Sequence, residues 1–201
     1  STLKAVATCK TQAAMRYHLG YVSQEERAQL LSGTVIHEAL ATWFRGGTVD
    51  QALLTLYEHY AEWSANNVPP GDRLAYDNLA AVTRRWCQTH PLSEYPVQVV
   101  PSMVEVGAQA PLVPDGSIIY CGRMDVVGRT TDGWLVGDHK STGQMSPMWL
   151  AGFEIDSQLT GYTWLLQQHL GAPVKGAFVN ASEVAKLPGD FCSHHATLAG
   201  N

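Results

Sequence analysis

Through the first ninety residues apolar positions recur every three or four, the period of helices with one buried face; beyond Pro91 they gather into short alternating or continuous runs, the pattern of strands. The stretch "SQEERAQLLSGTVIHEALATWFRGG" reads as a first helix, with Ser23 and Glu26 spaced as a capping box and Gly46-Gly47 as the stop. A second helix is expected from Val49 to about Trp63, ended by "NNVPPG". A third is expected from Asp72 to about Gln88, with Leu74, Leu79, Val82 and Trp86 as its apolar stripe. Three strands follow in "YPVQVVPSMVEVG", "SIIYCGRMDVVG" and "WLVGDHK", the first two joined by the loop "PLVPDGS". The stretch "FEIDSQLTGYTWLLQQHLG" fits a helix with Asp156 in its first turn and Gly171 and Pro173 as stops, and "VKGAFVNA" a last strand. The order helices, three strands, helix, strand predicts an α/β fold. The stretch "KLPGDFCSHHATLAGN" has no clear period and is expected to be irregular.

The second and third strands form a hairpin, "GRMDVV" leading through "GRTTDGW" to "GDHKST", with Asp132-Gly133 as the turn signal. Two registers are open. A loop from Thr130 to Gly133 sets Asp125 directly opposite Asp138, whereas a loop of Asp132-Gly133 alone sets Asp125 opposite Lys140 with Asp138 on the diagonal. Either way strand alternation puts Asp125, Asp138 and Lys140 on one face while the His139 side chain points away. Two carboxylates that close repel each other unless something positive lies between them, either Lys140 or a divalent metal. Alone, the trio reads equally well as a surface salt bridge.

With 201 residues, 45% of them apolar, one domain is expected over 1–201, with a mainly helical part at 1–90, a core of three strands, helix and strand at 91–182, and the irregular tail at 183–201. A net charge of -5 excludes a globally basic nucleic-acid coat, so any nucleic-acid contact must come from a local patch. No apolar run approaches the roughly 20 residues that span a bilayer, and the first residues, "STLKAVATCKTQ", lack an apolar signal core. A soluble, cytoplasmic protein without membrane contact is the expectation. Cys9, Cys87, Cys121 and Cys192 show no CxxC pair and are read mostly as buried small residues.

Two further positions carry candidate chemistry. Gln158 and Tyr162, four apart on the late helix, share one face and on their own read as its polar edge. His37, in "GTVIHEAL", has Gly33, Thr34, Leu40 and Ala41 as its helical neighbours; three of these four are small and leave room for a metal or another backbone at the imidazole.

Taken in order, "GTVIHEAL", "GRMDVV", "GDHKST" and "QLTGY" resemble the motifs of PD-(D/E)XK nucleases of the RecB-type exonuclease branch, which includes CRISPR-adaptation and phage recombination exonucleases. The resemblance implies a restriction-endonuclease-like core, a central mixed sheet flanked by helices, with an added N-terminal helical region. It implies metal ligation by His37, Asp125, Asp138 and the main-chain carbonyl of His139, catalysis by Asp125, Asp138 and Lys140, and a supporting role for Gln158 and Tyr162 at the lysine and the DNA backbone. Such hard oxygen donors suit Mg²⁺ or Mn²⁺, and the imidazole favours Mn²⁺. Some members hold an iron-sulfur cluster with one early and three late cysteines; with Cys192 alone in the tail, no such cluster is expected. Lys10, Arg16, Arg84, Arg85, Arg123 and Arg129 are the candidate DNA contacts, Arg84-Arg85 being the adjacent pair. The expected function is a metal-dependent DNase, an exonuclease of recombination, repair or phage DNA processing, acting on DNA with a recombination partner protein or as a homo-oligomer. The competing readings are a catalytically silent DNA-binding module and a restriction-type endonuclease that reads sequence.

Overall fold

Helix-capping chemistry sets the first well-defined boundary. The Thr48 hydroxyl accepts from Gln51 N while the Gln51 side chain accepts from Thr48 N, a reciprocal cap that starts helix α3 (Val49–Asn67). The structure, a computed structural model, describes residues 9–21, 28–154, 156–185 and 193–199. Before α3 come α1 (Lys10–Ala13), continued as a π-helical turn at Ala14–His18, and α2 (Ala28–Phe44); after it comes α4 (Tyr76–Thr89). The capping box expected at Ser23 and Glu26 lies outside the described residues. The third helix begins at Tyr76 rather than Asp72: Asp72 Oδ1 accepts from Leu74 N, and Leu74 gives its carbonyl to the buried Tyr60 hydroxyl at 2.7 Å, so this stretch is a turn.

Five strands form one sheet in sequence order, β1 (Gln98–Pro111), β2 (Ile119–Thr130), β3 (Gly133–Thr142), β4 (Val174–Glu183) and β5 (Ser193–Ala199). All neighbours are antiparallel except β3 and β4, whose parallel pairing requires a crossover. Helices α5 (Pro147–Ala151) and α6 (Ser157–Leu170) supply it. The sheet is thus mixed and flanked by helices, as expected, while the stretch expected to be irregular contains β5, which extends the sheet beyond β4. Its pattern is short and polar, so no strand period marks it in the sequence.

Each face of the sheet has its own core. On one, Val35, Ile36, Leu40 and Phe44 of α2 pack with Leu56, Tyr60, Leu79 and Trp86 from α3 and α4 against Val104, Val126, Leu135 and Phe178. On the other, Leu159 and Leu166 of α6 cover Met124, Val127, Val136, Ala177 and Val179. Among the described residues no helix is long and apolar enough to cross a membrane. Of the cysteines expected to be buried, only Cys87 is; Cys9 and Cys121 are exposed, and Cys192 lies outside the described residues.

Gly137 matters to this packing because it pairs with Phe178 across β3 and β4. A Cβ there would lie 2.3 Å from Phe178 Cζ and 2.5 Å from Val126 Cγ1, both in the buried core. Gly137→Ala is therefore expected to destabilise by about 1–3 kcal/mol through overpacking. Gly107→Ala on β1, where a Cβ would meet nothing within 4 Å, should stay within about 0.5 kcal/mol of the parent. Denaturant midpoints of the two variants check this; equal shifts would show that Gly137 is not a packing constraint.

Candidate active site

The β2–β3 ladder runs from Thr130–Gly133 to Val126–Gly137, closed by a tight turn at Thr131-Asp132. Continued by one step, this register sets Asp125 opposite Asp138, the first of the two registers open in the sequence. The ladder gives way there to a side chain: His139 N donates to Asp125 Oδ2 at 2.6 Å. A strand's N–H lies in the plane of the sheet, so the Asp125 carboxylate also lies in that plane, where a neighbouring strand's carbonyl would be. The packing of β2 agrees, because Val126 belongs to one core while Met124 and Val127 belong to the other, and the alternation changes phase around Asp125. This corrects the expectation that Asp125 shares one face with Asp138 and Lys140.

From the plane of the sheet Asp125 meets groups on the α2 side. His37 projects from α2 and sets Nδ1 3.3 Å from Asp125 Oδ2. Glu105 arrives from β1, between the residues paired with Val126 and Met124, with a φ of 56°. A non-glycine residue in that region costs about 1–3 kcal/mol and persists only where its surroundings impose it. Arg45, just past α2, donates to the Val104 carbonyl at 3.2 Å, and Arg123 pairs with Glu105 at 2.8 Å, so the irregular strand is pinned on both sides of Glu105. One ligand atom each from His37, Glu105 and Asp125 lie within 4.8 Å of one another. An imidazole nitrogen and two carboxylate oxygens so close together are a donor set that fits a small divalent cation.

The α6 side carries the other half. Asp138 is 1% exposed, and its Oδ2 makes an ion pair with Lys140 Nζ at 2.5 Å. Lys140 Nζ also donates to Gln158 Oε1 at 3.3 Å, and Gln158 Nε2 donates to Tyr162 OH at 2.9 Å and to Asp138 Oδ1 at 3.5 Å. Gln158 is held by the start of α6: Asp156 is the N-cap and accepts from Gln158 N at 2.6 Å. The Tyr162 ring lies over Gly122 of β2, where a Cβ would come within 2.7 Å of it.

The structure thus brings His37 and Asp125 together with Glu105, and sets Asp138, Lys140, Gln158 and Tyr162 beside them. The His139 side chain points away, stacked on Phe44 at 5.2 Å with Nδ1 2.9 Å from Asn180 Nδ2. Its main-chain N–H faces Asp125, and in an extended strand the carbonyl of the same residue faces the same way. Arg123 is engaged by Glu105. Arg84 and Arg85 are exposed on α4, and among the described residues neither forms an ion pair with this group. Glu105 joins them although the sequence offers it equally as a further acidic candidate and as an exposed strand residue; its one local signal is an acid between the valines of "MVEV".

The two aspartates titrate in opposite directions. Burial would raise the Asp125 carboxyl, but His37 and His139 more than offset it and hold it below the usual range. Burial likewise would depress His37, yet its hydrogen bond and charge contact with Asp125 raise it. For Asp138 burial wins over Lys140, with the Asp125 charge adding to it, and the carboxyl is pushed up to about 6. Glu105 is raised by burial and by Asp125, with Arg123 opposing.

The family model of the PD-(D/E)XK nuclease superfamily matches residues 1–190. A solved chain described as "Crystal structure of SSO0001" is 14% identical over 93% of this chain and 75% of its own, with a TM-score of 0.36. No curated protein matches.

A carboxyl raised on folding contributes stability that is present below its unfolded pKa and is lost as pH rises through its folded one. For Asp138 that loss runs from about 4 to about 6, so at neutral pH its ionised form opposes folding. Asp138→Asn should therefore be more stable than the parent at pH 7.5, on the order of 1–3 kcal/mol, and the gain should shrink toward pH 4. Metal-free melts at the two pH values check this; a gain that does not depend on pH would mean that the charge is not its source.

Proposed function

We propose, from the premise that this chain belongs to the PD-(D/E)XK nuclease superfamily, that it is a metal-dependent deoxyribonuclease of the RecB-type branch that digests DNA from its ends. The observation that carries the reading is the meeting, across one hairpin end, of a His37–Glu105–Asp125 donor set with the Asp138–Lys140–Gln158 network. Either alone is an ordinary polar cluster. Side by side they supply a cation site and a positioned ammonium, which are what phosphodiester hydrolysis needs.

His37, Glu105, Asp125, Asp138 and the His139 carbonyl would hold Mg²⁺ or Mn²⁺. When bound, the cation supplies Lewis acidity and offsets the negative charge that builds on the phosphate. Lys140, anchored by Asp138 and Gln158, orients the attacking water and adds a second positive charge beside the phosphate. The Gln158 amide is fixed from both ends, its oxygen on Lys140 and its nitrogen on Tyr162. Because Tyr162 OH accepts from Gln158, its own hydrogen remains for a DNA phosphate oxygen. The cytoplasm of a bacterial or phage-infected cell, and a role in recombination or repair alongside a partner protein, fit a nuclease of this type.

Linear and covalently closed circular DNA with Mg²⁺ or Mn²⁺ test the reading. Linear DNA should be digested and circles spared, and Lys140→Ala should lose at least a hundredfold in rate while still folding cooperatively, at a somewhat lower melting temperature because Asp138 loses its cation. Cleavage of circles would favour a restriction-type endonuclease, and survival of both substrates a silent DNA-binding module.

Metal binding can be read without activity. Melting temperature should rise with millimolar Mn²⁺ or Mg²⁺, since a ligand that binds only the folded state stabilises it. Asp125→Asn and Glu105→Gln should blunt both responses, and His37→Ala the Mn²⁺ response more than the Mg²⁺ response. A parent protein whose melt ignores both ions would remove the metal from the mechanism.

A further inference from the structure

We infer that a cavity of about 240 Å³ between the first half of α2 and the outgoing end of β3 is a phosphate subsite for the DNA strand being cut, with Arg73 as its cation; this rests on the nuclease reading above. Gln29 and Ser32 line it from α2, Ser141 and Thr142 from the end of β3 with Gly143 just beyond, and Arg73 from the turn before α4, over an apolar floor of Leu74 and Val184.

Its position follows from the two elements that build the active site. Ser141 and Thr142 come directly after Lys140, so strand rise places them roughly 3 and 7 Å beyond it. Ser32 lies five residues before His37 on α2, about 8 Å along the helix axis. Helix and strand are in contact there, since a Cβ on Gly33 would stand 3.6 Å from Ser141 Oγ. The cavity therefore shares both walls with the active site, at the distance of a neighbouring phosphate.

Its charge follows from what surrounds Arg73. The side chain is half-buried, and among the described residues its guanidinium makes no ion pair and donates no hydrogen bond. Asp72 beside it is engaged, accepting from Leu74 N at 2.8 Å. None of the lining residues is acidic, in a chain whose net charge is -5. The Arg73 backbone is anchored by Asn78 Nδ2, which donates to its carbonyl at 2.7 Å. The guanidinium rests against Gly143, where a Cβ would come 2.8 Å from Nη1 and 3.0 Å from Cζ. Thr142 Oγ1 holds that turn by donating to Gln144 O at 2.9 Å. A positioned guanidinium whose donors are uncommitted among the described residues, beside the Ser141 hydroxyl, suits the geometry of a phosphate.

The test is binding of a labelled linear oligonucleotide to the Asp138→Asn protein, with one phosphate at a time replaced by a neutral methylphosphonate. Neutralising one phosphate next to the position where the active enzyme cuts should weaken binding about tenfold. In Asp138→Asn carrying also Arg73→Gln that sensitivity should vanish at that position alone, and the salt dependence should fall by about one phosphate contact. Gly143→Ala, which displaces the guanidinium while keeping its charge, should remove the same sensitivity and carries the test if Arg73→Gln does not fold. Equal sensitivity with and without Arg73 at every position would overturn the subsite alone. A parent enzyme that neither binds nor cuts DNA would overturn the nuclease reading, and the subsite with it.

Discussion

The carboxylate of Asp125 takes the main-chain N–H of His139 that a strand carbonyl would otherwise take, and the rest of the site is arranged around that exchange. Because the acceptor is a side chain, the hairpin can end its ladder at Val126–Gly137 without leaving a buried donor unpaired. Because the acceptor is also an anion in the plane of the sheet, it must be compensated by elements from either side. The imidazole of His37 comes from α2 and Arg123 balances the added acid Glu105, so a helix of the N-terminal layer and an edge strand are tied to one atom group at the centre of the sheet.

Asp138 shows the cost of placing a second carboxylate at the same end. It is more buried than Asp125 and among the described residues has no main-chain donor, and its ammonium partner is shared with Gln158. Its affinity for a proton is therefore raised where that of Asp125 is lowered. An arrangement that opposes folding when ionised is one that a cation can relieve. The hydrophobic layers on both faces of the sheet hold these groups together, with Phe44 and Trp86 packed around the His139 ring directly behind the charged end of the hairpin.

Most elements were legible in the sequence, since period, caps and stops are local. Asp156 at the head of α6 and Gly171 at its end, in the left-handed conformation at φ 60°, act as their residue types predict. Strand alternation put Asp138 and Lys140 on one face and the four-residue helical step did the same for Gln158 and Tyr162, but it was the order of the motifs, through their resemblance to a nuclease family, that made these residues and Asp125 candidates for one site. Of the two registers open in the sequence, the structure adopts the one centred on Thr131-Asp132, which continues to Asp125 opposite Asp138, rather than the one that turns at Asp132-Gly133.

What the sequence by itself determined is the set of elements, their order and the residues able to carry the chemistry, because backbone preference and side-chain periodicity act over a few neighbouring positions. Only the tertiary structure decided that Asp125 turns into the plane of the sheet, that Glu105 joins it through a left-handed backbone, that the His139 ring is buried behind the site, and that the Arg73 guanidinium comes to rest against Gly143 just past the hairpin. Each of those outcomes depends on which buried polar groups meet across elements distant in the chain. The energy of such a meeting is set by burial and by a partner that neither residue's own neighbourhood specifies.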